Sequence, residues 1–296
     1  MNKFPISIAS YSFHGMLGKG QTSVFTYLED TKFRYGVDYA DIWNGYLPVL
    51  DEELLKKVRA SLDEKGMTLA NFCVDGVHVW DDDDERRASN KKGSLEHIKA
   101  AEIMGARTIR IDMGSLEENV PDEKMEYIIK TYKEYAHICG ELGMRIGTEN
   151  HWGSSRYPHN LEAVYKGVDN PAYGVLFHFG NFVDGQVDKG LETVLPMAMH
   201  THVHADSVPY AKEYIRRLAN IGYKGTFSIE HHSGQHEYQR VAWQLSTVRA
   251  LIAELIEEGT ENPAAPDYIS QRYGLYAKQQ GLRDTNPLIQ DVVDKM

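Results

Sequence analysis

Four side chains able to bind metals and move protons stand at the ends of four successive apolar segments of this 296-residue chain. They are Glu149 after Ile146-Gly147-Thr148, His178 after Val175-Leu176-Phe177, His204 after Thr201-His202-Val203, and Glu230 after Phe227-Ser228-Ile229. Strand side chains alternate between faces. Gly147 therefore shares a face with Glu149, Leu176 with His178, His202 with His204, and Ser228 with Glu230. On that face each segment turns polar at its C-terminal end. A glutamate is almost never buried without a partner or a cation, and two that face each other repel unless a cation lies between them. Two Glu and two His converging in this way form a divalent-metal site. Singly, each residue could serve structure alone: Glu149 or Glu230 could pair with an arginine, and His178 could be a hydrogen-bonded core histidine. The joint occurrence favours the metal. His202 reads as a residue beside the site rather than a ligand, and His200 as a deeper barrel residue bonded to a neighbour.

These segments belong to a longer series. Strand-length apolar runs begin near Ile6, Tyr39, Leu69, Thr108, Arg145, Tyr173, Met199 and Thr226, at intervals of roughly 26–39 residues that suit strands joined by helical crossovers. Between them, residues 51–65, 122–142 and 238–256 carry apolar residues at helical spacing; the first of these has acid at its start and Gly66 after its end. Eight such units predict a closed (β/α)8 barrel, a TIM barrel, over residues 1–258, with 259–296 as an extension packing on the barrel or on a partner subunit. An open doubly wound sheet is the alternative, but no Gly-rich phosphate loop follows the first strand. The glycines at 15, 18 and 20 have the wrong spacing for one, and suggest a mobile active-site loop or a plain connector. The acidic run from Asp81 to Glu85 reads as a solvated helix start.

Composition limits the partners. The net charge of −11 argues against binding to nucleic acid or to an anionic membrane surface. Cys73 and Cys139 form no ligand pattern, and no apolar stretch reaches the ~18 residues of a spanning helix. The N-terminus lacks an apolar export segment. A cytoplasmic protein with a small-molecule partner is expected, and homo-oligomerisation is left open.

In a parallel barrel the active site lies at the C-terminal rim of the strands. Rim positions offer further contacts for a substrate: Tyr11 and His14 after the first strand, Trp43 after the second, Asp75 and His78 after the third, Asp112 after the fourth, Trp152 and Arg156 after the fifth, His202 on the seventh, and His231 and His232 after the eighth. Aromatic rings stack on sugar faces, while His, Asp and Arg satisfy hydroxyls; each could equally serve loop packing. His151, adjoining Glu149, reads as an extra base or a supporting group.

The motifs Thr148-Glu149-Asn150-His151, Leu176-Phe177-His178-Phe179-Gly180-Asn181, His202-Val203-His204-Ala205-Asp206 and Ser228-Ile229-Glu230-His231, with the helix-to-strand segment 101–111, resemble the sugar phosphate isomerase/epimerase branch of the xylose isomerase-like barrels. That group includes D-tagatose 3-epimerase-type enzymes, inosose dehydratases and endonuclease IV, and the resemblance runs from residue 1 to about 257. It implies one divalent metal held by Glu149, His178, His204 and Glu230, with the two Glu also acting as acid and base. His178 stands where the family has Asp, which removes a negative charge and favours borderline ions. Mn2+ is the first expectation, with Co2+, Zn2+, Ni2+, Fe2+ and Mg2+ as alternatives.

The implied chemistry is removal of a proton beside a ketone, with the metal stabilising the resulting enediolate. Returning the proton on the other face gives an epimerase, and relocating the carbonyl gives an isomerase. Expelling a β-leaving group gives a lyase, dehydratase or deglycosidase acting on a keto-sugar or glycoside. An endonuclease IV-like phosphodiesterase needs a trinuclear zinc cluster; Asn181, the lack of a His ending the fourth strand and the net charge count against it. A non-catalytic barrel would leave the ligand quartet without a purpose.

Overall fold

Side-chain alternation along eight short strands separates a greasy outer surface from a polar interior. In the computed structural model, which describes residues 4–260, these strands are β1 (Ile6–Ala9), β2 (Tyr39–Trp43), β3 (Thr68–Val74), β4 (Thr108–Ile111), β5 (Arg145–Glu149), β6 (Tyr173–His178), β7 (Ala198–His204) and β8 (Phe227–Glu230). All neighbours run parallel, and β1 closes on β8 through pairs such as Ile6 with Phe227, so the sheet is a barrel. Each strand starts within a residue of the position the sequence predicts. Ile8, Ile42, Phe72, Ile109, Ile146, Val175, Val203 and Ile229 all belong to the main core, where strands meet helices. The alternate positions carry Ser7, Asp41, Asn71, Thr108, Arg110, His200, His202 and Ser228, all buried. A second, small apolar cluster is made by Cys73, Leu176 and Met199.

The crossovers are helical. They comprise α1 (His14–Gly18), α2 (Val24–Glu29), α3 (Glu52–Glu64), α4 (Asp84–Met104), α5 (Asp122–Glu141), α6 (Pro158–Val168), α7 (Val187–Val194), α8 (Val208–Asn220) and α9 (Glu237–Glu257). Helix α3 buries Leu55, Val58 and Leu62, and Asp51 caps it by accepting from the Leu54 N–H at 2.9 Å. The acidic run opens α4, with Asp83 as the cap and Asp84 and Glu85 in the first turn. The glycine-bearing segment after β1 is the short helix α1 rather than a loop. The Glu237 carboxylate accepts from the Gly15 and Met16 N–H groups at 2.8 and 2.9 Å, tying this helix to α9. The expected packing of the C-terminal extension concerns residues beyond 260, outside the described part. Among the described residues no helix is long and apolar enough to cross a membrane.

Two irregularities set the register near the mouth. One lies between Ala40 and Asp41 against β3, the other between Val175 and Leu176 against β7. After the second, Leu176 pairs with His200 and His178 with His202.

Gly147 tests how tightly β5 and β6 approach. A Cβ at this position would fall 1.7 Å from the Gly174 carbonyl oxygen, so the backbone itself would have to move. Gly147→Ala is expected to cost about 1–3 kcal/mol or more and to lower Tm by several degrees in thermal unfolding followed by circular dichroism. An unchanged Tm would show that the strands can part freely.

Candidate active site

Inward residues near the C-terminal ends of β5 to β8 converge. Glu149, His178, His202 and Glu230 are all buried, and each offers one ligand atom within 4.8 Å of the others. Glu149 Oε1 lies 3.0 Å from both His178 Nδ1 and His202 Nδ1. Glu230 Oε2 lies 3.2 Å from His202 Nδ1, 3.7 Å from His178 Nδ1 and 3.0 Å from His232 Nε2. Despite these neighbours, Glu230 Oε2 is buried and accepts no well-formed hydrogen bond. A buried carboxylate oxygen left over among imidazole nitrogens fits a divalent cation, whose borderline members accept both N and O ligands.

The seventh strand differs from expectation. His202 occupies the fourth position of the cluster, and the sequence-predicted ligand His204 lies outside it. Strand β7 runs on to His204, and the register step at Val175/Leu176 sets His202 level with His178. His204 instead caps the following turn: its Nδ1 accepts from the Asp206 N–H at 3.3 Å, and its ring lies 4.4 Å from that of His232. Burial, with His232 and His178 nearby, pushes its pKa down to about 4, so it is a neutral imidazole.

Charge is dense here. Burial opposes ionisation of Glu149, yet His202, His151 and His178 outweigh it and hold the carboxyl well below the usual range. Glu230 behaves likewise, with His202 and His232 outweighing burial. Burial also works against a charge on His202, but Glu230 and Glu149 raise it well above an ordinary histidine. His151 is raised to about 9, because Glu149 and Asp112 more than offset its burial. At neutral pH it is thereby held toward its protonated form. Arg110 is a site residue that the sequence did not disclose. Its Nε lies 3.1 Å from Glu149 Oε2, and its Nη1 reaches Asp75 Oδ1 at 2.6 Å and Asp112 Oδ2 at 3.1 Å. The alternation Thr108, Arg110, Asp112 was the one signal pointing to it. Thus Glu149 pairs with an arginine through one oxygen and faces the imidazoles with the other.

A cavity of about 220 Å3 opens above the cluster, lined by Tyr11, Trp43, Asp75, Arg110, His151 and His232 together with Ala9, Asp41, Cys73, Glu149, His202 and Glu230. Of the predicted contacts, Tyr11, Trp43, Asp75, His202 and His232 line it directly. His14 stacks on Tyr11 with ring centroids 4.4 Å apart. Asp112 sits behind the wall, accepting from Trp152 Nε1 at 2.8 Å, while His78 stands edge-on to Trp152 at 4.7 Å. Arg156 donates to the Phe182 carbonyl at 3.1 Å, and neither it nor His78 lines the cavity. His231 turns to Ser233, with Nε2 to Oγ at 2.8 Å.

The family model of xylose isomerase-like TIM barrels matches residues 33–251. A comparison with curated proteins gave no match. Among solved structures, D-psicose 3-epimerase from Clostridium cellulolyticum H10 superposes with a TM-score of 0.68 at 15% identity, covering 84% of this chain and 99% of its own. The 3-keto-D-glucoside 4-epimerase of E. coli gives 0.65 at 15% identity, covering 84% and 100%. The probable 3-DHS dehydratase of Bacillus anthracis gives 0.62 at 13%, covering 83% and 99%. At these identities the likeness is one of fold.

The two histidines of β7 can be told apart by titration calorimetry with Mn2+. His202→Gln is expected to weaken binding by at least the about 10–100-fold that loss of even an outer partner costs, and His204→Gln by no more than a few-fold. The reverse order would restore His204 as the ligand.

Proposed function

Because the chain belongs to the xylose isomerase-like TIM barrel family, we propose that it is a divalent-metal-dependent sugar isomerase or epimerase acting on a ketose or keto-sugar. The observation that carries this reading is the pair of buried carboxylates beside two imidazoles, three of these four residues lining a small cavity. Glu149, His178, His202 and Glu230 would hold the ion, with Mn2+ the first choice. When bound, it would supply Lewis-acid polarisation of a carbonyl and its neighbouring hydroxyl.

The chain's own residues do the rest. Glu149 or Glu230, whichever is ionised, can take a proton from the carbon beside a carbonyl, and the other, carrying a proton when the substrate is bound, can return one on the opposite face. His202 and His178 keep the two carboxylates apart. Tyr11 and Trp43, whose rings meet edge-on at 5.1 Å, form an apolar wall for a sugar face. Asp75 is partly open to solvent and can accept hydroxyl protons. Arg110 is already engaged by Asp75, Asp112 and Glu149, which favours an uncharged substrate over a phosphorylated one. The cavity is smaller than the ~300–1,000 Å3 of drug-sized pockets and suits a single sugar unit.

A dehydratase or other lyase is the second reading. It is favoured by His151, which lines the cavity 3.9 Å from Glu149 and 3.5 Å from Asp112, where it could hand a proton to a leaving hydroxyl. The fold likeness to a probable dehydratase is consistent with it.

Incubating Mn2+-loaded protein with a panel of ketoses and keto-glycosides in D2O separates the readings. Deuterium at the carbon beside the carbonyl with retained carbon–oxygen bonds marks an isomerase or epimerase; loss of water or an alcohol marks a lyase. Glu149→Gln and Glu230→Gln should each lower turnover by at least about 100-fold, within the range for a positioned acid or base. Near-normal turnover in either variant would remove that residue from the proton path.

A further inference from the structure

We infer that Asp41 is a positioning residue that fixes which nitrogen His202 presents to the metal; this rests on the metal-dependent reading above. Asp41 lies on β2, across the barrel from β7, at the point where the β2–β3 register shifts. It is buried, with a side-chain exposure of 1%. Its Oδ2 takes His200 Nε2 at 2.7 Å, His202 Nε2 at 3.0 Å and Ser228 Oγ at 2.8 Å, and its Oδ1 accepts from Asn71 Nδ2 at 2.9 Å.

A carboxylate can only accept, so the His202 nitrogen facing it must carry a hydrogen. The other nitrogen, Nδ1, then faces Glu149 Oε1 at 3.0 Å and Glu230 Oε2 at 3.2 Å. Of these two oxygens only Glu149 Oε1 is in hydrogen-bond geometry with Nδ1. A cation held here would face the Nδ1 lone pair together with both carboxylates. Asp41 keeps the hydrogen on Nε2 throughout, which holds the ring orientation and makes Nδ1 more basic, as an outer carboxylate does for a metal-bound histidine.

Asp41 is itself held from below. His200 is bonded through Nε2, and its Nδ1 lies 3.4 Å from Thr226 Oγ1, which is 2.7 Å from Ser7 Oγ. A purely space-filling acid would need no such directionality. Binding the metal through Nδ1 rather than Nε2 is the consequence that distinguishes the two roles.

The test uses zinc as a diamagnetic probe. Long-range 1H–15N correlation of the Zn2+-loaded, 15N-histidine-labelled full chain, with His202 assigned by the His202→Gln variant, should show a protonated Nε2 and a metal-bound Nδ1. The opposite tautomer overturns the inference, and this measurement needs no change at Asp41. Asp41→Asn should lower Zn2+ affinity about 10–100-fold, whereas Ser228→Ala, which removes a donor from the same carboxylate without touching its bond to His202, should lower it by no more than a few-fold. Equal affinity of Asp41→Asn and wild type would also overturn it. Failure of wild type to bind Zn2+ or Mn2+ would sink the metal-dependent reading itself, a result separable from tight binding that is indifferent to Asp41.

Discussion

Two buried carboxylates stand close together at the mouth of the barrel, and their mutual repulsion governs the residues around them. With a ligand oxygen of each within 4.8 Å of the other, two unit charges in a protein interior of effective dielectric ~20 repel by about 3 kcal/mol, before the cost of desolvating either. The neighbours answer that cost unequally. Glu149 receives Arg110 on one oxygen and two imidazoles on the other. Glu230 has only imidazoles near Oε2, and that atom forms no well-shaped hydrogen bond. A structure selected for stability alone would not retain that arrangement, since an apolar pair of similar volume is often at least as stable. The imbalance is localised where a cation and a reacting carbon would sit.

The polar interior extends well below this level. Asp41, Asn71, Thr108 and His200 are buried and bonded to one another, as in Thr108 Oγ1 to Asn71 Oδ1 at 2.7 Å and Asn71 Nδ2 to Asp41 Oδ1 at 2.9 Å. Barrel interiors are commonly filled with branched apolar residues; here the apolar packing lies mainly between strands and helices. Stability and site geometry are thereby divided between the two faces of the same strands. Outward positions hold the barrel closed, while inward ones hold ligand atoms in place through hydrogen bonds, which specify direction as well as distance.

This division explains what could be read from the sequence. Apolar runs at crossover spacing disclosed the strands, because outward residues such as Ile109 and Val203 must be buried whatever the site does. Glu149, His178 and Glu230 were legible because packing alone seldom puts a charged or polar side chain at the buried end of an apolar strand. His202 and His204 share a face by alternation, so the choice between them depended on how far β7 extends relative to β6. His202 pairs with His178 on β6, whereas His204 pairs with Glu230 on β8 and turns its ring to the Asp206 N–H; none of this leaves a mark on composition. Arg110 and Asp41 were hidden for a different reason. Each is polar within a strand, but its partners lie on other strands: Glu149 for Arg110, His200 and His202 for Asp41. Apart from the alternation Thr108, Arg110, Asp112, nothing local distinguishes such a residue from a solvated edge position.

Arg110 also connects the chemistry to the cavity wall. Its guanidinium joins Glu149 to Asp75, and Asp75 Oδ2 accepts from the Trp43 indole N–H at 2.7 Å. The ring that would stack on a sugar is thus placed, through one carboxylate and one guanidinium, relative to the oxygen that would take the proton. The planar guanidinium donates to Asp75 through Nη1 and faces Glu149 through Nε as an ion pair, so a shift of either partner weakens the link between them. Proton transfer is sensitive to misplacement on the scale of an ångström. Burial of Arg110 among three carboxylates therefore serves alignment: it ties Trp43, through Asp75, to Glu149 inside the barrel.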